Sequence, residues 1–117
     1  MELFTTTSAA HRRPGNCVVV GVYANGKPGR AALDIDEASS GHLAKLIKSG
    51  DISGKEGTTL MLNEVHGVRA SRVLVVGLGK VSKFNIAALR CAARATASAL
   101  RGSRVRDVVS YLGLEDI

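Results

Sequence analysis

Arg72 to Lys80 reads RVLVVGLGK, and this stretch decides the fold. Val73, Leu74, Val75 and Val76 run without a break into Gly77, Leu78, Gly79 and Lys80. A mostly β-branched run with no polar alternation is the pattern of a strand buried on both faces. The two glycines then allow a tight exit, because glycine reaches positive φ without a Cβ clash. Ser82 follows, and from Lys83 to Leu100 the chain is rich in alanine, with no Gly or Pro. Strand, glycine turn and helix in that order form the first half of a βαβ unit.

Such turns often hold phosphates, so Gly77, Gly79 and Lys80 form a candidate ligand turn. The motif is incomplete, however. A dinucleotide fingerprint G-x-G-x-x-G needs glycine where Ser82 stands,. A P-loop needs Ser or Thr directly after its lysine, and Lys80 is followed by Val81,. The competing reading is a turn that uses glycine for geometry alone.

Composition frames the rest. With 117 residues, 45% of them hydrophobic, the chain has the length of one domain, residues 1–117, with a real core,. Its aromatics are only Phe4, Phe84, Tyr23 and Tyr111, so the core must be Val, Leu, Ile and Ala, which suits layered α/β packing. No run approaches the roughly 18 apolar residues of a membrane span. The first residues, MELFTTTSAAHRRPG, lack the basic-then-apolar order of a signal peptide, so the expected compartment is the cytoplasm, with no membrane partner,. Cys17 and Cys91 read as small buried hydrophobes,. His11, His42 and His66 stand at no ligand spacing to each other or to either cysteine, which leaves no metal site to propose,.

Taken in order, Glu2 to Thr7 is β-prone, and Arg13-Pro14-Gly15-Asn16 is turn chemistry,. Cys17 to Tyr23 (CVVVGVY) is a second apolar strand, in which Gly21 marks a bulge or a close backbone approach,. An open loop ends at Gly29. A helix is expected to start near Asp34 or Asp36, either able to cap it, with Leu43, Leu46 and Ile47 inward and Lys45 and Lys48 outward,. Gly50 closes it. The two aspartates also admit a reading as paired acid–base carboxylates, though carboxylates at a helix start serve the dipole far more often. Asp51 to Gly57 is a loop, Thr58 to Val65 a strand, and Val105 to Leu112 the last strand. The order β, β, α, β, β, α, β predicts a largely parallel or mixed sheet flanked by helices. The final strand has no helix after it to cover its apolar face, as in a truncated domain.

Charge is concentrated. The net charge is +6, and between Gly67 and Arg106 stand nine basic residues and no Asp or Glu. At about 100° per residue, Lys83, Arg90, Arg94 and Arg101 fall within about 40° of one another on the alanine-rich helix. This ridge is either a solvated face or a contact for a subunit or a nucleic acid. It carries no aromatic or amide reader of bases, so DNA binding through it would be backbone-directed and sequence-tolerant.

Taken together, NCVVVGVY, ASSGHLAKLIKSGDISGKEGTTLMLNEVHGV and RVLVVGLGK resemble the N-terminal domain of leucyl aminopeptidases, two-metal exopeptidases. The family pattern of a leucine followed by G-x-x-x-G-K-x-G falls on Leu46, Gly50, Gly54, Lys55 and Gly57. The later strand-and-turn pattern falls on Val73, Val75, Val76, Gly77, Gly79 and Lys80. The resemblance implies a macro-domain-like, three-layer α/β/α fold with a mixed sheet. It implies a partner, the chain's own C-terminal catalytic domain, holding two divalent metals (zinc or manganese). It further implies a hexamer of two stacked trimers, and for some bacterial members DNA binding. The family's metal-ligand stretch N-T-D-A-E-G-R-L is absent from these residues, so no catalytic residue carries over. The expected role is therefore assembly and active-site access within a peptidase, with DNA binding through the basic ridge as the alternative. Nucleotide or ADP-ribose binding at Gly77, Gly79 and Lys80 is a third reading.

Overall fold

A computed structural model describes residues 2–5, 17–24, 27–68, 70–80, 85–101 and 107–110. The strands are β1 (Glu2–Thr5), β2 (Cys17–Tyr23), β3 (Thr59–Asn63), β4 (Arg72–Gly79) and β5 (Asp107–Ser110). The helices are α1 (Arg30–Ala38), α2 (His42–Ser49) and α3 (Ile86–Leu100). All five strands join one sheet in the order β1-β5-β2-β4-β3. β1, β5, β2 and β4 run parallel, and β3 pairs antiparallel with β4 at the edge.

Alternation along the two central strands builds the layers. Val18, Val20 and Val22 of β2 lie with Val73 and Val75 of β4 on one face, against Ala31, Ala32 and Ile35 of α1 and Leu43 of α2. Cys17, Val19 and Tyr23 lie with Leu74, Val76 and Leu78 on the other, against Ala88, Ala92 and Leu100 of α3. Apolar side chains on both faces are what a central strand between two helical layers requires. The result is the mixed-sheet α/β/α sandwich expected from the sequence. The alanines of α3 let its backbone approach the sheet, and Leu46 and Ile47 pack at the margin of the first layer.

Four local expectations change. The single helix ending at Gly50 is two. It begins earlier, at Arg30, because Ala31 and Ala32 are good helix formers with a buried face,. It breaks at Ser39-Ser40-Gly41. The Gly41 amide bonds back to the Asp36 carbonyl at 2.8 Å, the Ser40 amide reaches that of Glu37 at 3.3 Å, and Ser40 takes φ 59°. This is a Schellman termination with serine in the left-handed position. Asp36 caps after all, but it caps α2: its Oδ1 accepts the Ala44 amide at 2.9 Å. Gly50 closes α2 at φ 90° as expected.

The second change concerns Gly77 and Gly79, which lie within β4 rather than in a turn beyond it. The third concerns β5. Expected to leave its apolar face uncovered, it is inserted between β1 and β2, with Val108 fully buried. The loop after β2 is also less open than expected, because Tyr23 donates to the Lys27 carbonyl at 2.9 Å and Gly29 to that of Gly21 at 2.8 Å. Arg13–Asn16, Lys83 and Tyr111–Leu112 lie outside the described residues.

Candidate functional site

The carboxyl ends of β2 and β4 meet the loop 53–58. The Gly77 amide donates to the Thr58 carbonyl at 2.7 Å, and the Gly79 amide donates to that of Gly54 at 3.0 Å. In return the Gly57 amide reaches the Gly77 carbonyl at 3.2 Å, while Ala24 of β2 donates to the Gly79 carbonyl at 2.8 Å. Within the loop, the Thr58 hydroxyl and amide both converge on the Lys55 carbonyl, at 2.6 and 3.1 Å.

These bonds explain the glycines. A Cβ on Gly77 would collide with the Lys55 carbonyl oxygen, and one on Gly54 with that of Tyr23. The two glycine amides that could have cradled a phosphate are occupied by protein carbonyls. What the candidate turn offers a ligand is therefore side chains and shape.

The shape is a cleft of about 300 Å³ lined by Ala24, Lys55, Glu56, Leu78, Gly79, Lys80 and Ala88. Its floor comes from buried Leu78, Gly79 and Ala88, and exposed Lys55, Glu56 and Lys80 stand around it. Two of the three residues of the candidate ligand turn, Gly79 and Lys80, line it, whereas Gly77 is buried under the loop. Sequence reasoning missed Glu56, Ala24 and Ala88 as lining residues. Lys55 was visible only as part of a glycine-rich motif.

Arg90 and Arg94 on α3 are exposed. Arg101 is exposed too, but it caps the helix C-terminus in extended backbone rather than continuing the expected ridge. Ala88, Ala92, Thr96 and Leu100 are buried on the opposite side. Asn85 caps the helix by accepting the Ala88 amide on Oδ1 at 2.9 Å. Lys83, the fourth residue of the expected ridge, lies outside the described residues. Cys17 is buried and Cys91 half-buried, both as free thiols. Burial pushes the Cys17 thiol up to about 11, against a lowering by the Leu74 backbone and the nearby Arg72 charge. Among the described residues no group of three His, Cys, Asp or Glu could hold a metal ion. No described helix is long and apolar enough to cross a membrane.

Residues 19–116 match the family model described as the cytosol aminopeptidase family, N-terminal domain. The chain belongs to that family. It is 50% identical over 97 residues to the probable cytosol aminopeptidase of Paraburkholderia phytofirmans, and likewise to that of Burkholderia thailandensis. In both comparisons the match covers 83% of this chain and 19% of the relative, so the chain spans about a fifth of the length of these cytosol aminopeptidases. Among solved structures, a mutant of tomato leucine aminopeptidase superposes with a TM-score of 0.69 at 20% identity, over 96% of this chain and 23% of that one. The macrodomain of Mycobacterium tuberculosis DarG also gives 0.69, at 11% identity, over 93% and 74%. At such identities the likeness is one of fold. It agrees with the macro-domain-like sandwich that the motifs implied.

Proposed function

We propose that residues 1–117 form one domain, the non-catalytic N-terminal domain of a cytoplasmic leucyl aminopeptidase that removes N-terminal residues from peptides. The match of residues 19–116 to the family's N-terminal domain supports this reading. On this reading the two divalent ions that such a peptidase uses, zinc or manganese, belong to its C-terminal catalytic domain. This domain then serves assembly of a hexamer and shapes access to active sites elsewhere. The test is an assay of the longer polypeptide that contains this chain, with and without residues 1–117. Metal-dependent release of N-terminal leucine, with the oligomer lost in the shortened form, is the expected result. A longer polypeptide with no such activity would sink the proposal.

A second reading rests on the α3 ridge. Arg90 and Arg94 are exposed on a helix that carries no acidic residue, and Arg101 is exposed at its C-cap. A one-sign face of this kind attracts the phosphates of DNA. It would bind without reading sequence, beside the role in assembly rather than instead of it.

A further inference from the structure

We infer that β3 is a docking edge for a second copy of this chain, pairing antiparallel with its own counterpart across a two-fold axis at Met61. β3 ends the described sheet and has a strand, β4, on one side only. Exposed edges are usually blunted by lysine, by proline or by inward-pointing charge. Thr59-Leu60-Met61-Leu62-Asn63 contains none of these.

The ladder with β4 decides which backbone groups are on offer. Along an antiparallel strand, residues alternate between turning both backbone groups to the partner and turning both away. The Thr58 carbonyl accepts the Gly77 amide at 2.7 Å, and the Glu64 amide donates to the Ser71 carbonyl at 2.9 Å. Residues 60 and 62, in step with these two, therefore face β4. Thr59, Met61 and Asn63 aim their amides and carbonyls at the open edge.

The sequence of β3 is close to a palindrome about Met61. Rotation about an axis through that residue, normal to the sheet, sets Thr59 opposite Asn63 of the second copy, Leu60 opposite Leu62, and Met61 opposite itself. All three outward residues then form hydrogen-bonded pairs. Moving the axis to Leu60 or Leu62 leaves only two of them paired within β3 and sets Met61 against Thr59 or Asn63. Palindrome and hydrogen-bond parity thus select one register.

The side chains suit it. Leu60 and Leu62 are half-buried on the α1 and α2 face, and Met61 is half-buried on the α3 face. The two-fold keeps each on its own face, so both apolar layers continue across the joint. Glu64, at φ 49°, leaves the extended conformation directly after β3 and limits the joint to the strand itself. Such a contact is isologous and closed, and its small area makes it a weak one. It goes beyond the role in assembly proposed above, because it rests on the β3 edge and holds whatever the longer polypeptide catalyses.

Sedimentation of the 117-residue chain over a concentration series tests the pairing, and a reversible monomer–dimer equilibrium is expected. Thr59→Lys with Asn63→Lys in one chain sets like charges opposite each other at both ends of the joint. It should raise the dimer Kd about tenfold, which is about 1.4 kcal/mol. Thr59→Lys with Asn63→Glu sets opposite charges there and should restore the dimer. Both positions are exposed, so the core is untouched. Should either variant fail to fold, Met61→Cys gives a second readout. Hydrogen-bonded partners stand about 5.5 Å apart at Cα, within disulfide reach, so mild oxidation should link the two introduced thiols. Mass spectrometry of the digest would show that link, and its absence would overturn the axis at Met61. A chain that stays monomeric at every concentration would leave the edge to another segment and overturn the pairing. A dimer indifferent to the two lysines would place the joint elsewhere. Equal weakening by both double variants would overturn the antiparallel register.

Discussion

The Gly77 amide donates to the Thr58 carbonyl oxygen at 2.7 Å, and the Lys55 carbonyl occupies the space where a Cβ on Gly77 would stand. A stretch that looks like a phosphate loop is thereby a seam between a buried strand and the loop across its end. Gly77→Ala forces two backbones apart and should cost about 2–3 kcal/mol. Gly50→Ala, where φ is 90° but nothing lies within 4 Å of the added Cβ, should cost only about 1 kcal/mol, from left-handed backbone alone. Urea denaturation of the two variants measures the difference. Equal losses would mean that the seam adds nothing beyond backbone conformation.

Gly21 makes a different kind of contact. An added Cβ would come within 2.5 Å of Leu78 Cδ1, the end of a side chain that can move or be shortened. Gly21→Ala and Leu78→Ala should each destabilise the fold, and the double variant should lose at least 1 kcal/mol less than their sum. Strict additivity would place the strain elsewhere.

Asp36→Ala removes the acceptor for the Ala44 amide and should cost about 1 kcal/mol, the usual worth of a helix N-cap. Asp36→Asn, which keeps the oxygen, should be nearly neutral. A large loss in the asparagine variant would show that charge, rather than the hydrogen bond, holds the start of α2. Thermal melts suffice to separate the two.

Cys17 is buried with its thiol raised from an ordinary 9.0 to about 11. The unfolded chain ionises first as pH rises, so this residue's contribution is complete below pH 9.0 and is lost between 9.0 and about 11,. Stability of the native protein should fall over that window more than stability of Cys17→Ala does. In parallel, an alkylating reagent at pH 8 should label half-buried Cys91 well before Cys17, as mass spectrometry of the digested protein would record,.

If the α3 ridge contacts DNA, a labelled duplex titrated across a salt series should give a slope of log K against log salt of about −0.9 per phosphate neutralised. Arg90→Ala and Arg94→Ala should each flatten it by about one such unit. Absence of binding at low salt assigns the ridge to solvent or to a neighbouring subunit.

Much of this was legible in the chain. β2 and β4 announce themselves because both faces are buried, which demands apolar residues; the bounds of β2 agree with CVVVGVY, whereas β4 runs on through the two glycines read as its exit turn. The inward face of α3 was equally plain, since alanines recur at helical spacing. The break between α1 and α2 was missed because apolar periodicity continues across it, although Ser39-Ser40-Gly41 carries the interruption in its turn-forming residues. Gly77 and Gly79 misled because glycine permits two things, a sharp turn and a close approach. Only the partner backbone, contributed by Gly54 to Thr58, distinguishes them. The cleft was illegible for a related reason: Ala24, Glu56, Lys80 and Ala88 come from four separate parts of the chain and share no local pattern.

The position of β5 bears on how the molecule is made. β1 precedes the other described strands in the chain, yet its strand partner is β5, which follows them, and β5 is also what joins β1 to β2. Until β5 leaves the ribosome, β2 keeps one edge unpaired beside its finished ladder with β4, and β1 has no place in the sheet. Closure of a loop nearly as long as the chain is a slow step. The nascent protein should therefore depend on chaperones, or on prompt synthesis of β5, to keep the β2 edge from pairing with a stranger,.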